Sequence, residues 1–284
     1  MSTLRSYTIN VRGQLLELSR PLVMGILNVT PDSFYSGSRM QSEEQIALRA
    51  QQIVNEGGSI IDLGAYSSRP GAADVSVEEE KERLRVAMKV IRQLYPDIPV
   101  SIDTFRAEVA RCCIEEYGAD IINDISGGQL DEQIFPTVAR LNVPYILMHM
   151  RGTPQTMQQQ TDYDDVTADV LRYFGEKVDR LHSMGVKDII LDPGYGFAKT
   201  LEQNYELLSK QQVLEVLDLP ILVGVSRKSM ICKVLGCTPD EALNGTTALH
   251  VLALQRGTHI LRVHDVRQAI EAIKIVEYVK TPSS

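Results

Sequence analysis

The segment DIINDISGGQLDEQIFPTVARLNVPYILM, residues 120–148, decides the fold because it holds one complete strand–helix–strand unit. Residues 120–123 and 143–148 are short, mainly apolar runs, a pattern typical of strands buried on both faces. Residues 131–141 between them have the apolar spacing of a helix. A helix that connects two buried strands predicts a parallel pair, since parallel strands need a long crossover connection.

The same unit repeats along the chain. We predict strands at residues 22–27, 60–63, 99–102, 120–123, 143–148, 188–191, 220–223 and 259–262. We predict helices at residues 42–56, 76–94, 106–116, 131–141, 167–184, 201–217, 228–235, 239–255 and 266–280. Ser42 with Gln45, and Ser76 with Glu79, have the spacing of capping boxes for the first two helices. Strict alternation predicts an α/β fold, and eight units predict closure into a (β/α)8 barrel.

The whole chain, residues 1–284, is expected to form a single domain because its length suits one barrel. Residues 4–18, with a turn at Arg12 and Gly13, predict an N-terminal β-hairpin that plugs the floor of the barrel. An open, doubly wound sheet is the alternative architecture, but no GxGxxG motif follows the first strand.

Composition excludes several classes of protein. The net charge is −8 and no stripe rich in Lys and Arg occurs, which argues against nucleic-acid binding. No apolar run is long enough to span a bilayer, and residues 1–10 lack the pattern of a signal peptide. The four cysteines have no metal-binding spacing, and unpaired thiols suit a reducing compartment. A cytoplasmic protein is therefore expected.

Two connections, residues 29–41 and 64–75, are much longer than the usual ~2–6 residues between a strand and a helix. Both are rich in Pro, Gly and Ser. Long loops at the carboxyl end of a barrel commonly act as lids or binding loops, and we expect that role for both.

Polar residues follow seven of the eight predicted strands. They are Asn28, Ser67, Ser68, Arg69, Asp103, Asn123, Asp192, Ser226, Arg227, Lys228, Ser229, Arg262 and His264. Active sites of barrels are built from the carboxyl ends of the strands, so these side chains are expected to converge on one cavity. His149, after the fifth strand, is a weaker candidate for the same cavity.

The converging residues divide into two chemical sets. Asp103, Asn123 and Asp192 are rich in acceptors and suit a planar heterocycle that presents an amino group beside a ring N–H. The donors suit phosphate or diphosphate, and they are Asn28, Arg69, Lys228, Arg262 and His264. An amino-substituted heterocycle that carries a diphosphate would fit both sets.

Seven segments, in order along the chain, resemble the dihydropteroate synthase family. They are NVTPDSF (28–34), SRPG (68–71), SIDT (101–104), INDI (122–125), DPGYGF (192–197), GVSRKS (224–229) and RVHDV (262–266). The resemblance implies a barrel enzyme that joins 6-hydroxymethyl-7,8-dihydropterin diphosphate to 4-aminobenzoate, giving 7,8-dihydropteroate and pyrophosphate in folate biosynthesis. It also implies Mg2+ as the cofactor and a homodimer formed through the last helices.

The resemblance assigns roles residue by residue. It assigns the pterin to Asp103, Asn123, Met148, Asp192, Phe197, Gly224 and Lys228. It assigns the diphosphate to Asn28, Arg69, Arg262 and His264, with Mg2+ at Asn28. It assigns 4-aminobenzoate to Phe34, Ser68, Pro70, Phe197, Lys228 and Ser229. Catalysis is expected from Asp103, Lys228, Arg262 and His264, with loss of diphosphate before attack by the arylamine.

The second long loop departs from the commonest pattern of the family. Many members have Gly-Glu-Ser-Thr-Arg-Pro, whereas this chain has Ala-Tyr-Ser-Ser-Arg-Pro at residues 65–70. Ser68 keeps the hydroxyl of the usual Thr but lacks its methyl group, so a looser aminobenzoate pocket is expected. Tyr66 in place of Glu leaves the packing of the loop open.

Three other functions remain open at this point. A pterin-binding methyltransferase would share the pterin residues, but it would not need the anion-binding set formed by Ser226, Arg227 and Lys228 with Arg262 and His264. An aldolase-type barrel would use Lys228 to form a Schiff base, and the adjacent Arg227 is compatible with a lowered amine pKa. A catalytically silent relative would only bind the pterin.

Overall fold

A computed structural model describes residues 4–29, 39–66 and 75–280 of the chain. The chain begins with two antiparallel strands, β1 (Thr8–Val11) and β2 (Gln14–Glu17). Eight further strands form one parallel sheet: β3 (Leu22–Asn28), β4 (Ile60–Gly64), β5 (Val100–Asp103), β6 (Ile121–Asp124), β7 (Tyr145–Met148), β8 (Ile189–Asp192), β9 (Leu222–Val223) and β10 (Ile260–Val263). All eight predicted strands are confirmed.

The parallel sheet closes on itself. Strands β3 to β8 pair in sequence order, and β10 pairs with both β3 and β9. A parallel bridge between Leu191 and Ile221 joins the β8 side to the β9 side. The predicted barrel is therefore correct, and the open doubly wound sheet is wrong.

Nine α-helices occur in the described part of the chain. They are α1 (Arg39–Asn55), α2 (Val77–Leu94), α3 (Ala107–Glu115), α4 (Ile134–Leu141), α5 (Val166–Ser183), α6 (Leu201–Ser209), α7 (Ser229–Leu235), α8 (Leu243–Leu254) and α9 (Val266–Lys280). The predicted helix at 201–217 is only half correct, because a 3-10 helix, Gln211–Leu217, replaces its second half. Gln211 is buried there and bonds the Tyr195 hydroxyl and the Arg256 carbonyl, and such tertiary bonds leave no trace in apolar periodicity.

The two predicted helix caps have different outcomes. Helix α1 begins at Arg39, so Ser42 lies inside the helix and the prediction that it is the N-cap is wrong. The hydroxyl of Ser76 does cap α2, since it accepts a hydrogen bond from the amide of Glu79 at 3.2 Å. The carboxylate of Glu79 is engaged by Arg83 on the next turn.

The N-terminal hairpin closes one end of the barrel, as predicted. Its buried residues Ile9, Val11 and Leu18 form one apolar cluster with inward-facing residues of the barrel strands: Met24, Ile60, Ile121, Ile146, Ile190, Leu222 and Ile260. Full burial of an aliphatic side chain of this size stabilises a fold by about 1.5–3 kcal/mol. The hairpin and the inward-facing residues of the strands thus form one apolar layer at this end of the barrel.

The helices pack outside the barrel around a second, larger apolar cluster. Within the described ranges, no helix is both long and apolar enough to cross a membrane.

Candidate active site

Parallel register brings the carboxyl ends of the first strands side by side. Gly64 on β4 pairs with Asn28 on β3 and with Asp103 on β5. Asp103 in turn pairs with Asn123 on β6. The predicted convergence of Asn28, Asp103 and Asn123 therefore follows directly from strand pairing.

Arg262 lies at the centre of this end of the barrel. Its Nε donates to Asp62 Oδ2 at 2.6 Å, and its Nη2 donates to Asp103 Oδ2 at 2.8 Å. The side chain of Asp62 is fully buried, while those of Arg262 and Asp103 are 20% and 19% exposed. One guanidinium thus balances two carboxylates and keeps one edge of the cluster open to a ligand.

Asp62 and Ser101 are not among the residues predicted for the site, yet both belong to it. Each lies two residues before the last residue of its strand, Gly64 or Asp103, and residues two apart in a strand face the same side of the sheet. The carboxylate within the apolar run at 60–63 is the signal by which Asp62 could have been found in the sequence.

Two buried polar atoms at this end of the barrel have no hydrogen-bond partner in the described part of the chain. They are Oδ1 of Asn123 and Oγ of Ser101. The Nδ2 group of Asn123 is already used, since it donates to both oxygens of Asp62 at 3.3 and 3.4 Å. Buried polar atoms are nearly always paired in proteins, so these two indicate the place of a polar ligand.

Asp192 and Lys228 form the opposite side of the cavity. Asp192 is 5% exposed, and its Oδ1 accepts a hydrogen bond from the amide of Gly194 at 2.8 Å. Lys228 donates from Nζ to the carbonyl of Tyr195, and the same Nζ lies 4.5 Å from the ring centroid of Phe197. The aromatic face of Phe197 and the ammonium group of Lys228 therefore lie side by side at this side of the cavity.

Gly224 separates the two cations of the site. A Cβ at this position would lie 3.9 Å from Arg262 and 4.0 Å from Nζ of Lys228. Any larger side chain would extend into the space between these cations, which a ligand needs.

An apolar wall completes the cavity. Met148 is buried and packs in a small cluster with Ile125, Met150, Met157 and Ala198, against which Phe197 is partly buried. Flat apolar surfaces beside convergent polar groups suit a planar heterocycle.

His264 is held at the edge of the site as a neutral imidazole. Its Nδ1 lies 3.1 Å from Oγ of Ser226. Burial, and then the charge of Arg262, lower the pKa of His264 to about 4. At neutral pH it offers an anion a hydrogen bond rather than a full charge.

The prediction that Arg227 converges on the cavity is wrong. Its guanidinium forms a two-point ion pair with Asp265, with both N–O distances 2.8 Å, and also donates to the carbonyls of Pro239 and Asp240. The backbone of Arg227 is left-handed, with φ of 55°, and this turn directs consecutive side chains differently. The lowered pKa of Lys228 consequently owes nothing to its neighbour in sequence.

Burial shifts the pKa of Asp103, Lys228 and Asp192 in the direction that favours the neutral form of each group. It raises the pKa of Asp103 to about 7, an effect reduced by Arg262 and increased by Asp62. It lowers the pKa of Lys228 to about 8, opposed by Asp192. It also raises the pKa of Asp192, opposed by Lys228.

Other predicted residues are not described or are not brought to the cluster by any observed contact. Phe34, Ser67, Ser68, Arg69 and Pro70 lie outside the described residues, as do most of both long loops. Ser229 follows Lys228 as the exposed first residue of α7, so its assignment to 4-aminobenzoate stays a prediction. His149 is buried outside the cavity, with Nδ1 2.9 Å from Nζ of Lys199.

Tyr66 has a defined place near the start of the second long loop. Its ring meets that of Phe105 edge-on, with centroids 5.3 Å apart, and the guanidinium of Arg106 lies 5.4 Å from the Tyr66 centroid. The residue that replaces the usual Glu therefore packs against the residues that follow β5.

Comparisons with known proteins identify the family of this chain. A family model described as "Pterin binding enzyme" matches residues 24–264. The dihydropteroate synthase of Escherichia coli K12 is 45% identical over 269 residues, which cover 94% of each chain. The solved dihydropteroate synthase of Yersinia pestis, in complex with a sulfonamide drug, has a TM-score of 0.89 and 40% identity, covering 96% of this chain and 99% of that chain.

A second solved structure, the Xanthomonas albilineans dihydropteroate synthase with 4-aminobenzoic acid, has a TM-score of 0.89 and 36% identity, over 98% of this chain and 99% of that one. The family match, the sequence similarity to the relatives and the structural similarity to the solved enzymes all cover most of the chain. The chain therefore belongs to the pterin-binding enzyme family and, within it, to the dihydropteroate synthases.

Proposed function

We infer that this chain joins 6-hydroxymethyl-7,8-dihydropterin diphosphate to 4-aminobenzoate, and releases 7,8-dihydropteroate and pyrophosphate. The observation that carries this inference is the buried cluster of Arg262 with Asp62 and Asp103, beside the unpaired oxygens of Asn123 and Ser101. That set of atoms is complementary to a heterocycle with adjacent N–H donors.

The pterin is proposed to lie with its amino edge toward Asn123 and Asp192 and its flat faces against Met148 and Phe197. Oδ1 of Asn123 on β6 supplies a free acceptor, and Asp192 on β8, two strands away, supplies a second one. Because both are almost fully buried, a donor on the ligand satisfies them without competition from water.

The proposed reaction has two steps. The bond between the methylene carbon and the diphosphate oxygen breaks, its electron pair leaves with diphosphate, and the carbon becomes a cation delocalised into the ring. The carboxylate of Asp103 stabilises this cation, while Lys228, Arg262 and His264 stabilise the departing anion. The amine nitrogen of 4-aminobenzoate then forms the new C–N bond and releases a proton.

Magnesium is proposed at Asn28, where the exposed side chain at the end of β3 carries an amide oxygen, a hard ligand of the kind Mg2+ prefers. No cluster of three His, Cys, Asp or Glu side chains suited to a metal occurs among the described residues, so the diphosphate itself and water would complete the coordination. When bound, the ion supplies positive charge to the leaving group.

The direct test is incubation of the purified protein with both substrates and Mg2+. We expect dihydropteroate and pyrophosphate in equal amounts. Pterin binding without product would support the silent relative, and methyl transfer from a methylated pterin would support the methyltransferase.

Replacing Asp192 with Asn is expected to weaken pterin binding by about 1–3 kcal/mol, because a donor would then face a donor in a buried site. Calorimetric titration with a pterin that lacks the diphosphate isolates this contribution. Asp188→Asn is the matched control, since Asp188 lies at the opposite end of the same strand and bonds the amide of Asn10. Equal pterin affinity of both variants would remove Asp192 from the site.

The pH profile of kcat/KM is expected to be bell-shaped, with limbs near pH 7 and pH 8. The raised pKa of Asp103 means that its carboxylate is present only above about pH 7. The lowered pKa of Lys228 means that its ammonium is lost above about pH 8. The residual activity of Lys228→Arg should lack the alkaline limb, since a guanidinium does not titrate in this range. An unchanged alkaline limb in that variant would contradict the assignment.

A homodimer and a cytoplasmic location are also proposed. The last three helices expose apolar side chains: Val234, Leu235, Leu252, Ile275, Tyr278 and Val279. Such a concentration supports an interface there, and sedimentation velocity at several concentrations tests it. The four free thiols support a reducing compartment.

A further inference from the structure

A second buried lysine, Lys199, lies behind the loop of residues 193–198 that follows β8. Its Nζ donates to the carbonyls of Gly194 and Phe197 at 3.0 and 3.1 Å and lies 2.9 Å from Nδ1 of His149. The residue is only 4% exposed. Three acceptors match the three N–H bonds of an ammonium, so the group is fully satisfied without contact with the cavity.

The loop needs this support because its backbone turns sharply. Gly194, Gly196 and Ala198 all have positive φ, of 68°, 85° and 47°. Ala198 is notable, because a residue with a Cβ adopts this conformation only at an energetic cost. These turns direct three loop carbonyls toward buried donors. Lys199 donates to the carbonyls of Gly194 and Phe197, and the hydroxyl of Tyr163 donates to that of Ala198.

The same loop contacts two side chains that face the cavity, Asp192 and Lys228, and carries the ring of Phe197. The amide of Gly194 donates to Asp192, and the carbonyl of Tyr195 accepts from Lys228. The ring of Phe197 faces Nζ of Lys228 at 4.5 Å. One loop therefore orients an acceptor, a cation and an aromatic face.

His149 is suited to hold the lysine from behind. Burial, and then the charge of Lys199, keep the pKa of His149 well below its usual value, so the imidazole is neutral and Nδ1 can accept. The ring is fixed edge-on against Tyr173, with centroids 4.7 Å apart. Burial lowers the pKa of Lys199 to about 7, and the charge of Asp192 opposes this shift.

We propose that Lys199 is a positioning residue of the pterin site, acting through the 193–198 loop on Asp192, Phe197 and Lys228. This inference rests on the proposed function, which assigns those three side chains to the pterin. Lys199 itself touches neither substrate.

The test compares Lys199→Met with wild-type enzyme, because Met keeps the length of the side chain but removes all three donors. We expect the Kd for a pterin lacking diphosphate to rise at least tenfold. We also expect kcat to fall, because the Tyr195 carbonyl that accepts a hydrogen bond from Lys228 would no longer be held in place. Lys199→Arg retains the charge and should recover part of the affinity. Affinity and kcat within twofold of wild type in Lys199→Met would overturn the proposal.

Lys177→Met is the matched control. Lys177 also donates to a loop carbonyl, that of Gly127 at 2.7 Å, but it belongs to α5 and does not support the 193–198 loop. We expect this variant to have a lower Tm and an unchanged pterin Kd. An equal loss of pterin affinity in both variants would show a general loss of rigidity and would overturn the specific role of Lys199.

A double-mutant cycle separates positioning from mere stability. If Lys199 acts through the loop, its replacement should weaken pterin binding much less when Phe197 is already Ala. Additive effects would overturn the proposal. Should Lys199→Met not fold, Lys199→Gln, which retains a donor, serves in the same cycle. Formation of dihydropteroate by the wild-type enzyme is measured in parallel. Absence of this product would contradict the proposed reaction, whereas additive effects in the cycle would contradict only the role of Lys199.

Discussion

Replacing Arg262 with Met is expected to lower the free energy of unfolding by about 3–5 kcal/mol and to reduce kcat/KM roughly a thousandfold or more. The guanidinium is the ion-pair partner of both Asp62 and Asp103, at 2.6 and 2.8 Å. Its loss leaves two carboxylates close together with no cation between them. It also removes a cation proposed to stabilise the departing diphosphate.

The effect on stability should depend on pH. The charge of Arg262 lowers the pKa of Asp103, so its removal raises that pKa further above the value in the unfolded chain. A carboxyl group whose pKa is raised in the folded protein stabilises the fold while it is protonated. This contribution is lost as pH rises through the pKa of the group in the folded protein. The destabilisation measured by urea unfolding is therefore expected to be larger at about pH 8 than at about pH 5.

Arg92→Met provides a control at the other end of the barrel. Arg92 pairs with the fully buried Asp120 at 2.6 Å, and Arg12 also contacts this carboxylate. We expect Arg92→Met to lose stability but to retain the kcat/KM of the folded enzyme. If Arg262→Met kept wild-type stability and activity, the ion-pair cluster would not be the centre of the site.

Replacing Lys228 with Ala is expected to reduce kcat about 100- to 1000-fold, in line with loss of one group that stabilises developing charge. Lys228→Arg should also be strongly impaired, though less so. The compact ammonium fits between the Tyr195 carbonyl and the Phe197 ring, and a planar guanidinium has a different shape. Steady-state kinetics of the two variants, with Tm as the check on folding, gives this order directly.

The same residue decides between the proposed reaction and an aldolase-type mechanism. The lowered pKa of Lys228 would also suit a Schiff-base lysine, so the pKa alone does not separate the two. The proposed reaction forms no bond between Lys228 and carbon, and we expect no change in intact mass after treatment of enzyme and substrates with borohydride. A stable mass increase that maps to Lys228, and that is absent from Lys228→Arg, would establish the aldolase mechanism instead.

Much of this protein was predictable from local patterns. Apolar runs and helical periodicity report burial within a few residues, so the eight strands, the closed barrel and the hairpin plug were all predicted correctly. The positions of Asp103, Asn123 and Asp192 followed from the rule that parallel strands bring their carboxyl ends together.

Only the tertiary structure decided which groups meet. Arg262 was predicted as an anion ligand, but its partners Asp62 and Asp103 are 200 and 159 residues away in sequence. Arg227 and Lys228 are neighbours in sequence, yet a left-handed turn directs one toward Asp265 and the other into the cavity. Side-chain direction and long-range pairing depend on strand register and on single backbone angles. Composition and periodicity contain no information on side-chain direction or on long-range pairing. The sequence by itself therefore determined the barrel and the polar residues at the strand ends, whereas the tertiary structure determined which of those residues pair within the site.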